Sequence, residues 1–336
     1  MLKGPNKKRG MESEFEMKLN GCRFSVLVWL AWFSIAQLVS SSALPAQTHK
    51  IRIAHSSRSN TTAPFYVADT KGFFKEEALE VELIQVNPRL GAMAVMNGDV
   101  SFTTSFVSTF RGILQGLPLK LVMVGQKKGV YFLIARPDIK DVQDLKGKTL
   151  GVSTMRGTDH LVTEELLRAK KLDPSLLRAV ALGDTAVRAQ SLAAGVVQAV
   201  TVSPPHDLTL QRMGFHVLAG PPEVGLPASG LFTSNRLIKE NPQAVRHTLR
   251  ALIKANRFIA KNRDESVRVL MQWIPQSEEI AARSYDLELK ATTKDGEMTD
   301  AELDSLIERL GDKKKPLAEV KDFSHVRQAL KELEAK

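Results

Sequence analysis

Short apolar runs alternate with helical spacing along the chain from about residue 49 onward. The first strand pattern covers residues 51–54, and residues 79–86 alternate cleanly between polar and apolar side chains. Between them, residues 64–72 have the spacing of a helix that ends at a glycine. The series continues with a helix near 92–97 and strands at 100–103, 119–124 and 130–135. Strands that alternate with helices in this way are typical of α/β proteins with parallel sheets.

A second series of the same kind begins after a polar, turn-rich stretch at residues 137–148. It predicts strands at 149–152, 179–182, 196–202 and 215–218 and helices at 158–170 and 185–194. Glycines and prolines at residues 220–227 end this series. Helical spacing dominates after them, and the first of these helices is predicted to begin at Pro242 with Asn241 as its cap.

These two breaks divide the chain into lobes. We expect lobe 1 to consist of residues 47–136 and 223–336, with lobe 2, residues 137–222, inserted between its two parts. Two chain crossings between two α/β lobes form a hinge, and the cleft of such an arrangement is where a ligand binds.

The first residues have the layout of an export signal. Lys18 and Arg23 precede an apolar stretch at residues 24–38, which is followed by a serine- and alanine-rich exit that ends at Ala46. A charged region, an apolar core and small residues are the three parts of a secretory signal peptide. The core is shorter than the roughly 20 residues that span a bilayer. We therefore expect a cleaved signal over residues 1–46 and a periplasmic protein, with a retained membrane anchor as the alternative.

Composition and charge exclude several classes of function. The one cysteine, Cys22, lies in the signal segment, so residues 47–336 offer no thiol for a disulfide, a nucleophile or a metal ligand. The net charge of +10 raises the question of nucleic acid, but the basic residues are scattered along the chain. Proteins that bind nucleic acid concentrate positive charge on one face. We expect no nucleic-acid partner.

Hydroxyl side chains, an arginine and a glycine lie together where a predicted strand ends and a helix begins. This stretch runs from Ser153 to Asp159. The free N–H groups and the dipole at a helix start favour anions by about 0.3–1 kcal/mol. Gly157 permits a close approach of the ligand to the backbone, and Arg156 would add a charge-assisted hydrogen bond. Taken alone, these residues are better explained as a cap for the helix.

Three local patterns suggest catalysis or metal binding and fail on their details. Residues 147–149 resemble the end of a phosphate-binding loop, but they precede a strand instead of following one. His160 and Glu164 share a helix face without a third metal ligand. Thr299 and Glu302 are better explained as a capping box. We expect no enzyme activity, no metal and no cofactor.

Four motifs occur in a fixed order over about residues 50–260. They are Pro64-Phe-Tyr-Val-Ala68 with Lys71-Gly-Phe-Phe-Lys75, Gly98-Asp-Val-Ser-Phe102, Val142-Gln-Asp-Leu-Lys-Gly-Lys-Thr-Leu-Gly-Val152 and Ser191-Leu-Ala-Ala-Gly-Val-Val-Gln-Ala199. In order and spacing they resemble the periplasmic substrate-binding proteins of ABC importers for nitrate, sulfonates, taurine and thiamine-pyrimidine precursors. Ser101 and Gln198 depart from the pattern, because the family usually has aspartate at both positions.

The resemblance implies a two-lobed periplasmic-binding-protein (Venus flytrap) fold, with α/β lobes joined by a hinge. It also implies four ligand-binding loops at strand ends. The residues of this chain in those loops are Ser56, Arg58, Thr61, Thr62, Thr103, Thr104, Ser105, Ser153, Arg156, Gly157, Thr158, Pro205 and His206. We expect a monomer that binds a small organic anion, such as a sulfonate, taurine, nitrate or carboxylate, and delivers it to a permease in the inner membrane.

Several alternatives stay open at this point. The first alternative is a binding protein of the same fold whose ligand is a thiamine-pyrimidine precursor or another aromatic compound. Enzymes of pyrimidine or quinone precursor biosynthesis share the fold, but the pyrimidine-forming family carries a cysteine-rich motif and the quinone enzymes are cytoplasmic. A periplasmic sensor that presents its ligand to a membrane partner is the third alternative.

Overall fold

Two five-stranded sheets form the centre of the part of the chain that the structure describes. This structure, a computed structural model, describes residue 1, residues 49–222 and residues 225–335. The strands are β1 His49–His55, β2 Leu79–Gln85, β3 Phe102–Ser105, β4 Leu119–Gln126, β5 Phe132–Ala135, β6 Thr149–Val152, β7 Arg178–Ala181, β8 Ala199–Val202, β9 His216–Ala219 and β10 Ser229–Ser234. The predicted signal peptide and its possible anchor lie outside the described residues.

Helices connect and cover these strands. They are α1 Ala63–Thr70, α2 Phe73–Glu76, α3 Gly91–Asn97, α4 Phe106–Leu114, α5 Thr158–Ala169, α6 Thr185–Ala193, α7 His206–Arg212, α8 Asn235–Glu240, α9 Pro242–Lys261, α10 Arg263–Trp273, α11 Glu278–Ala291, α12 Asp300–Leu310, α13 Leu317–Val320 and α14 Ser324–Glu334. Short 3-10 turns occur at Asn60–Thr62, Val142–Leu145 and Pro174–Leu176. Within the described ranges, no helix has the length and apolar character needed to cross a bilayer.

The first sheet has the strand order β2-β1-β3-β10-β4. Strand β1 pairs in parallel with β2 and β3, whereas β10 is antiparallel to both β3 and β4. Every residue of β10 is buried. Because β10 comes late in the chain, the first sheet is complete only after the chain has passed through the second sheet.

The second sheet repeats this plan with the order β7-β6-β8-β5-β9. Strand β6 pairs in parallel with β7 and β8, and β5 is antiparallel to β8 and β9. Both sheets are therefore mixed. The predicted parallel pairing holds for β1 with β2 and β3 and for β6 with β7 and β8, the antiparallel pairs were not predicted, and the α/β class is confirmed. Since β5 lies in the second sheet, the chain leaves the first sheet between residues 126 and 132, earlier than the boundary expected after residue 136.

Most predicted elements occur within a few residues of their expected positions, but one strand is missing from the prediction. The strand β6 occupies the predicted residues 149–152, and Asn241 caps α9 by accepting a hydrogen bond from Ala244 N at 3.0 Å. The strand β10 follows the glycine- and proline-rich stretch, where only helices were expected. Its six residues contain two serines, a threonine and a glycine, so hydropathy marks it weakly.

Aromatic side chains fill the core around β10. Phe232 is fully buried in this strand, and the ring of Phe106 packs edge-on against it at 5.2 Å between centroids. Phe106 in turn stacks near Phe110, at 5.9 Å. Gly230 is required in β10, because a Cβ atom there would lie 2.8 Å from the carbonyl oxygen of Met123.

We expect Phe232→Ala to lower the free energy of unfolding by about 3–5 kcal/mol, because it leaves a cavity at the centre of the first sheet. Urea unfolding followed by circular dichroism measures the loss. Leu90→Ala is the control, because Leu90 is 59% exposed and its loss should cost well under about 1 kcal/mol. Equal losses in the two variants would contradict this account of the core.

Candidate ligand-binding site

A polar cavity lies between the carboxyl ends of the central strands of the two sheets. Residues that follow β1 and β3 line it from the first sheet, and residues that follow β6, β7 and β8 line it from the second. The cavity contains about 610 Å³ of empty space, counting its opening to solvent. This position is where α/β proteins bind ligands, because the loops at the carboxyl ends of parallel strands converge there.

Most of the predicted site residues line this cavity, and most of those carry hydroxyl groups. They are Ser56, Thr61, Thr62, Thr104, Ser105, Ser153, Gly157 and Thr158. Further hydroxyl groups come from lining residues outside the predicted set, which are Ser57, Ser59, Ser108, Tyr131, Thr154, Thr185, Ser203 and Ser229. The cavity therefore offers many neutral groups that both donate and accept hydrogen bonds.

Two predicted residues, Arg58 and His206, lie outside the lining and join the two sides of the cleft. The guanidinium of Arg58 is exposed and lies 5.0 Å from the centre of the Trp273 ring. Its backbone carbonyl is 3.3 Å from Nε2 of His206, which begins α7. Burial lowers the pKa of His206 below its ordinary value. Pro205, joined to Pro204 by a cis peptide bond, is buried next to His206 and does not line the cavity either.

Thr103 and Arg156 also lie outside the lining, for different reasons. Thr103 is fully buried in β3. Its hydroxyl lies against Gly91 at the start of α3, so close that a Cβ atom on Gly91 would be 2.3 Å from the hydroxyl oxygen. Arg156 is exposed, and its backbone has a positive φ of 60°. Its backbone N–H donates to Nδ1 of His160 at 2.8 Å, so the residue shapes the turn before α5.

The charged groups that the structure adds to the lining are Arg188 and Asp159. Arg188 is 2% exposed and donates to the carbonyls of Thr201 and Gly183 at 2.8 and 2.6 Å. Its guanidinium also lies 3.5 Å from the carboxylate of Asp159. That carboxylate accepts hydrogen bonds from the backbone N–H of Ser153, at 2.6 Å, and from its hydroxyl.

The sequence analysis missed Arg188 because nothing in its local pattern distinguishes it. It lies in the first two turns of α6, where an arginine ordinarily extends into solvent. Its side chain points inward because α6 packs against β8, where the carbonyl of Thr201 accepts a hydrogen bond from the guanidinium. Asp159 falls inside the selected stretch 153–159, and its role there is to hold the turn and to pair with Arg188.

The N-termini of three helices meet at the cavity. Residues at the starts of α4, α5 and α6 all belong to its lining. The backbone N–H of Val107 in α4 lies 3.4 Å from the hydroxyl of Thr158 in α5, so the two helix starts face each other across the cleft. The positive ends of the helix dipoles make this region favourable for negative charge.

Hydrogen bonds close the cleft around the cavity. Gln85 donates to the carboxylate of Asp184 at 2.6 Å, and Arg89 donates to the hydroxyl of Thr154 at 3.0 Å. The backbone N–H of Asn60 donates to the carbonyl of Pro204 at 3.2 Å. Each of these bonds joins a loop of the first sheet to a loop of the second, so the structure represents a closed arrangement.

The family of the chain follows from the sequence together with this fold. A family model described as "NMT1/THI5 like" matches residues 59–266, which include every strand from β2 to β10 and the loops of the cleft from residue 59 onward. The chain belongs to this family. The predicted kinship with substrate-binding proteins for nitrate, sulfonates and thiamine-pyrimidine precursors is thereby confirmed.

Individual relatives agree with this assignment. The riboflavin-binding protein RibY of Chloroflexus aurantiacus is 27% identical over 223 residues, which are 64% of this chain and 64% of RibY. Among solved structures, the ligand-binding component of an ABC-type import system from Staphylococcus aureus superposes with a TM-score of 0.71 at 15% identity, over 84% of this chain and 99% of that one. The alkanesulfonate-binding protein SsuA of Xanthomonas axonopodis gives a TM-score of 0.67 at 16% identity, over 84% and 98% of the two chains. The predicted fold class is confirmed.

We expect Asp159→Ala to lower the free energy of unfolding by about 3 kcal/mol, because it leaves the buried guanidinium of Arg188 without its carboxylate. Glu82→Ala is the matched control, because it breaks the exposed Arg52–Glu82 pair, in which the side chains are 46% and 53% exposed. Such a pair contributes at most about 1 kcal/mol. Chemical denaturation of the three proteins measures the difference, and a loss in Asp159→Ala no larger than in Glu82→Ala would contradict the buried pair.

Proposed function

We propose that the protein is the substrate-binding component of an ABC-type importer, that it captures a small organic anion in the cleft, and that it passes the anion to a membrane permease. The observation that carries this proposal is the hydroxyl-lined cavity between the two sheets, closed by hydrogen bonds from both sides. Membership of the family and the names of the relatives support it. Nothing in this role requires a catalytic group, a metal or a cofactor.

The helix starts at the cavity favour an anionic ligand. The starts of α4 and α5 carry backbone N–H groups, and hydroxyl side chains such as Ser105 and Thr158 supply further donors. A sulfonate, carboxylate or nitrate group has several acceptor oxygens that match such a set of donors. The arginines selected from the sequence lie outside the lining and are not proposed to bind the anion. The proposed binding residues are instead the hydroxyl-bearing lining residues, with Arg188 behind them.

A second candidate ligand is an uncharged heteroaromatic ring. The opposite charges of Arg188 and Asp159 lie 3.5 Å apart and compensate each other. Among the described residues, the lining therefore carries no charged side chain without a counter-charge. A cavity with balanced charges and many hydroxyl groups also accepts a neutral ligand with ring nitrogens and carbonyls. The relative named as riboflavin-binding is consistent with this alternative.

The two sheets are proposed to form the two lobes of a hinged receptor. The chain crosses from the first sheet to the second between β4 and β5 and returns between β9 and β10, and these two crossings are proposed as the hinge. Ligand would favour the closed state because it contacts hydroxyl groups of both lobes at once, and a ligand shifts such an equilibrium only by its difference in affinity for the two states. We propose that the receptor is a periplasmic monomer.

We expect an alkanesulfonate, a carboxylate or nitrate to raise the melting temperature of the purified protein. A ligand present at one hundred times its dissociation constant stabilises the folded state by about 2.7 kcal/mol, which a thermal shift detects. Riboflavin and pyrimidines serve as the uncharged set. A shift with the uncharged set alone would replace the anion with the second candidate, and no shift with either set would overturn the cleft as a site for these ligands.

The affinity for the anion should depend on Ser105 and not on Arg156. Ser105 is 5% exposed and lines the cavity, whereas Arg156 is exposed outside it. We expect Ser105→Val to weaken binding about tenfold, because it removes one hydrogen bond to the ligand. Arg156→Ala should change the dissociation constant less than about twofold. Titration calorimetry measures both, and a large loss in Arg156→Ala would restore the site expected from the sequence.

A further inference from the structure

A second cavity lies within the layer of helices that covers the first sheet. Its walls come from α1, α9, α10 and α11 and from residues of the neighbouring strands β4 and β10. Most of the lining is apolar and includes Phe65, Leu252, Ile259 and Leu270. The empty space is about 710 Å³, counting its opening to solvent.

Unpartnered polar side chains lie in this apolar lining. Asn60 is 4% exposed, and neither the oxygen nor the nitrogen of its side-chain amide has a hydrogen-bond partner among the described residues. Ser266, which is 1% exposed, has an equally unpartnered hydroxyl. Buried polar atoms in native proteins nearly always have a partner, because leaving one unpaired destabilises the folded state. These two residues therefore point to a ligand with a polar group.

The ionisable group of the cavity constrains the charge of that ligand. Glu288 lies in the lining and contacts Gln126 and the hydroxyl of Thr61, the latter at 3.5 Å. Burial raises the pKa of Glu288 to about 8, so its carboxyl group is mainly protonated at neutral pH. The lining contains no lysine, arginine or histidine within the described residues. An anion would find no compensating charge there, and burying it would be costly.

We propose that this cavity is a second binding site, and that it takes an uncharged, mainly apolar molecule with one hydroxyl or amide group held by Asn60 and Ser266. The two cavities meet at Thr61 and Ser229, which belong to both linings. Their chemistry differs sharply, because hydroxyl groups dominate the cleft and aliphatic and aromatic side chains dominate the second site. This inference does not depend on the ligand of the cleft.

Phenol is the probe for this site, because it combines an apolar ring with one hydroxyl group. We expect phenol to bind the purified full-length protein in ligand-detected NMR, and benzoate at neutral pH, which as a carboxylate is a ligand for the cleft, to leave the phenol signal unchanged when added at an equal concentration. This comparison uses the unmodified protein, so it does not depend on how any variant folds. Failure of phenol to bind, or its displacement by an equal concentration of benzoate, would overturn the proposal.

Two matched serine variants locate the phenol. Ser266→Val removes an unpartnered buried hydroxyl from the second site, and Ser105→Val removes one from the cleft. We expect Ser266→Val to weaken phenol binding about tenfold and Ser105→Val to change it less than twofold. The reverse pattern would place phenol in the cleft and overturn the second site. Ala63→Leu, which should fill part of the second cavity, supplies an independent loss if Ser266→Val does not fold.

Discussion

The insertion of β10 between β3 and β4 is the constraint on which the rest of this architecture depends. All six residues of β10 are buried, and the strand forms hydrogen bonds to neighbours on both sides. The first sheet thus cannot be complete until the chain returns from the second sheet. This return fixes two crossings between the sheets and brings the carboxyl ends of their strands face to face. The cleft is a consequence of that chain path.

Within the cleft, the electrostatic arrangement separates structural charges from ligand-binding groups. Asp159 anchors the turn before α5 and balances Arg188, whose donors are already directed at backbone carbonyls. A buried charge whose partners are all in place fixes the local conformation of the chain more than it attracts a ligand. The hydroxyl of Ser105 has no hydrogen-bond partner among the described residues, and it remains available together with the helix starts. These groups offer hydrogen bonds without a fixed excess of charge.

The order of elements was predictable from sequence, but their pairing partners were not. Alternating runs located β1, β2 and β6 because hydrophobic periodicity is a local signal. The strand β10 carries too many small polar residues to show that signal, and β5 has the pattern of a strand in either sheet. Which sheet a strand joins depends on contacts with residues that are distant in the sequence, such as the pairing of β5 with β8 and β9.

The same distinction explains which site residues were found. Of the residues selected at strand ends, Ser105, Ser153 and Thr158 line the cavity, because the end of a strand is a local feature that the sequence shows. Arg58 and Arg156 were selected for their charge, and both side chains are exposed outside the cavity. An arginine turns inward only where carbonyls and a carboxylate receive it, as α6 and β8 do for Arg188. Hydroxyl-rich strand ends are therefore the better sequence signal for this kind of site, and the burial of a charge has to be measured in the structure.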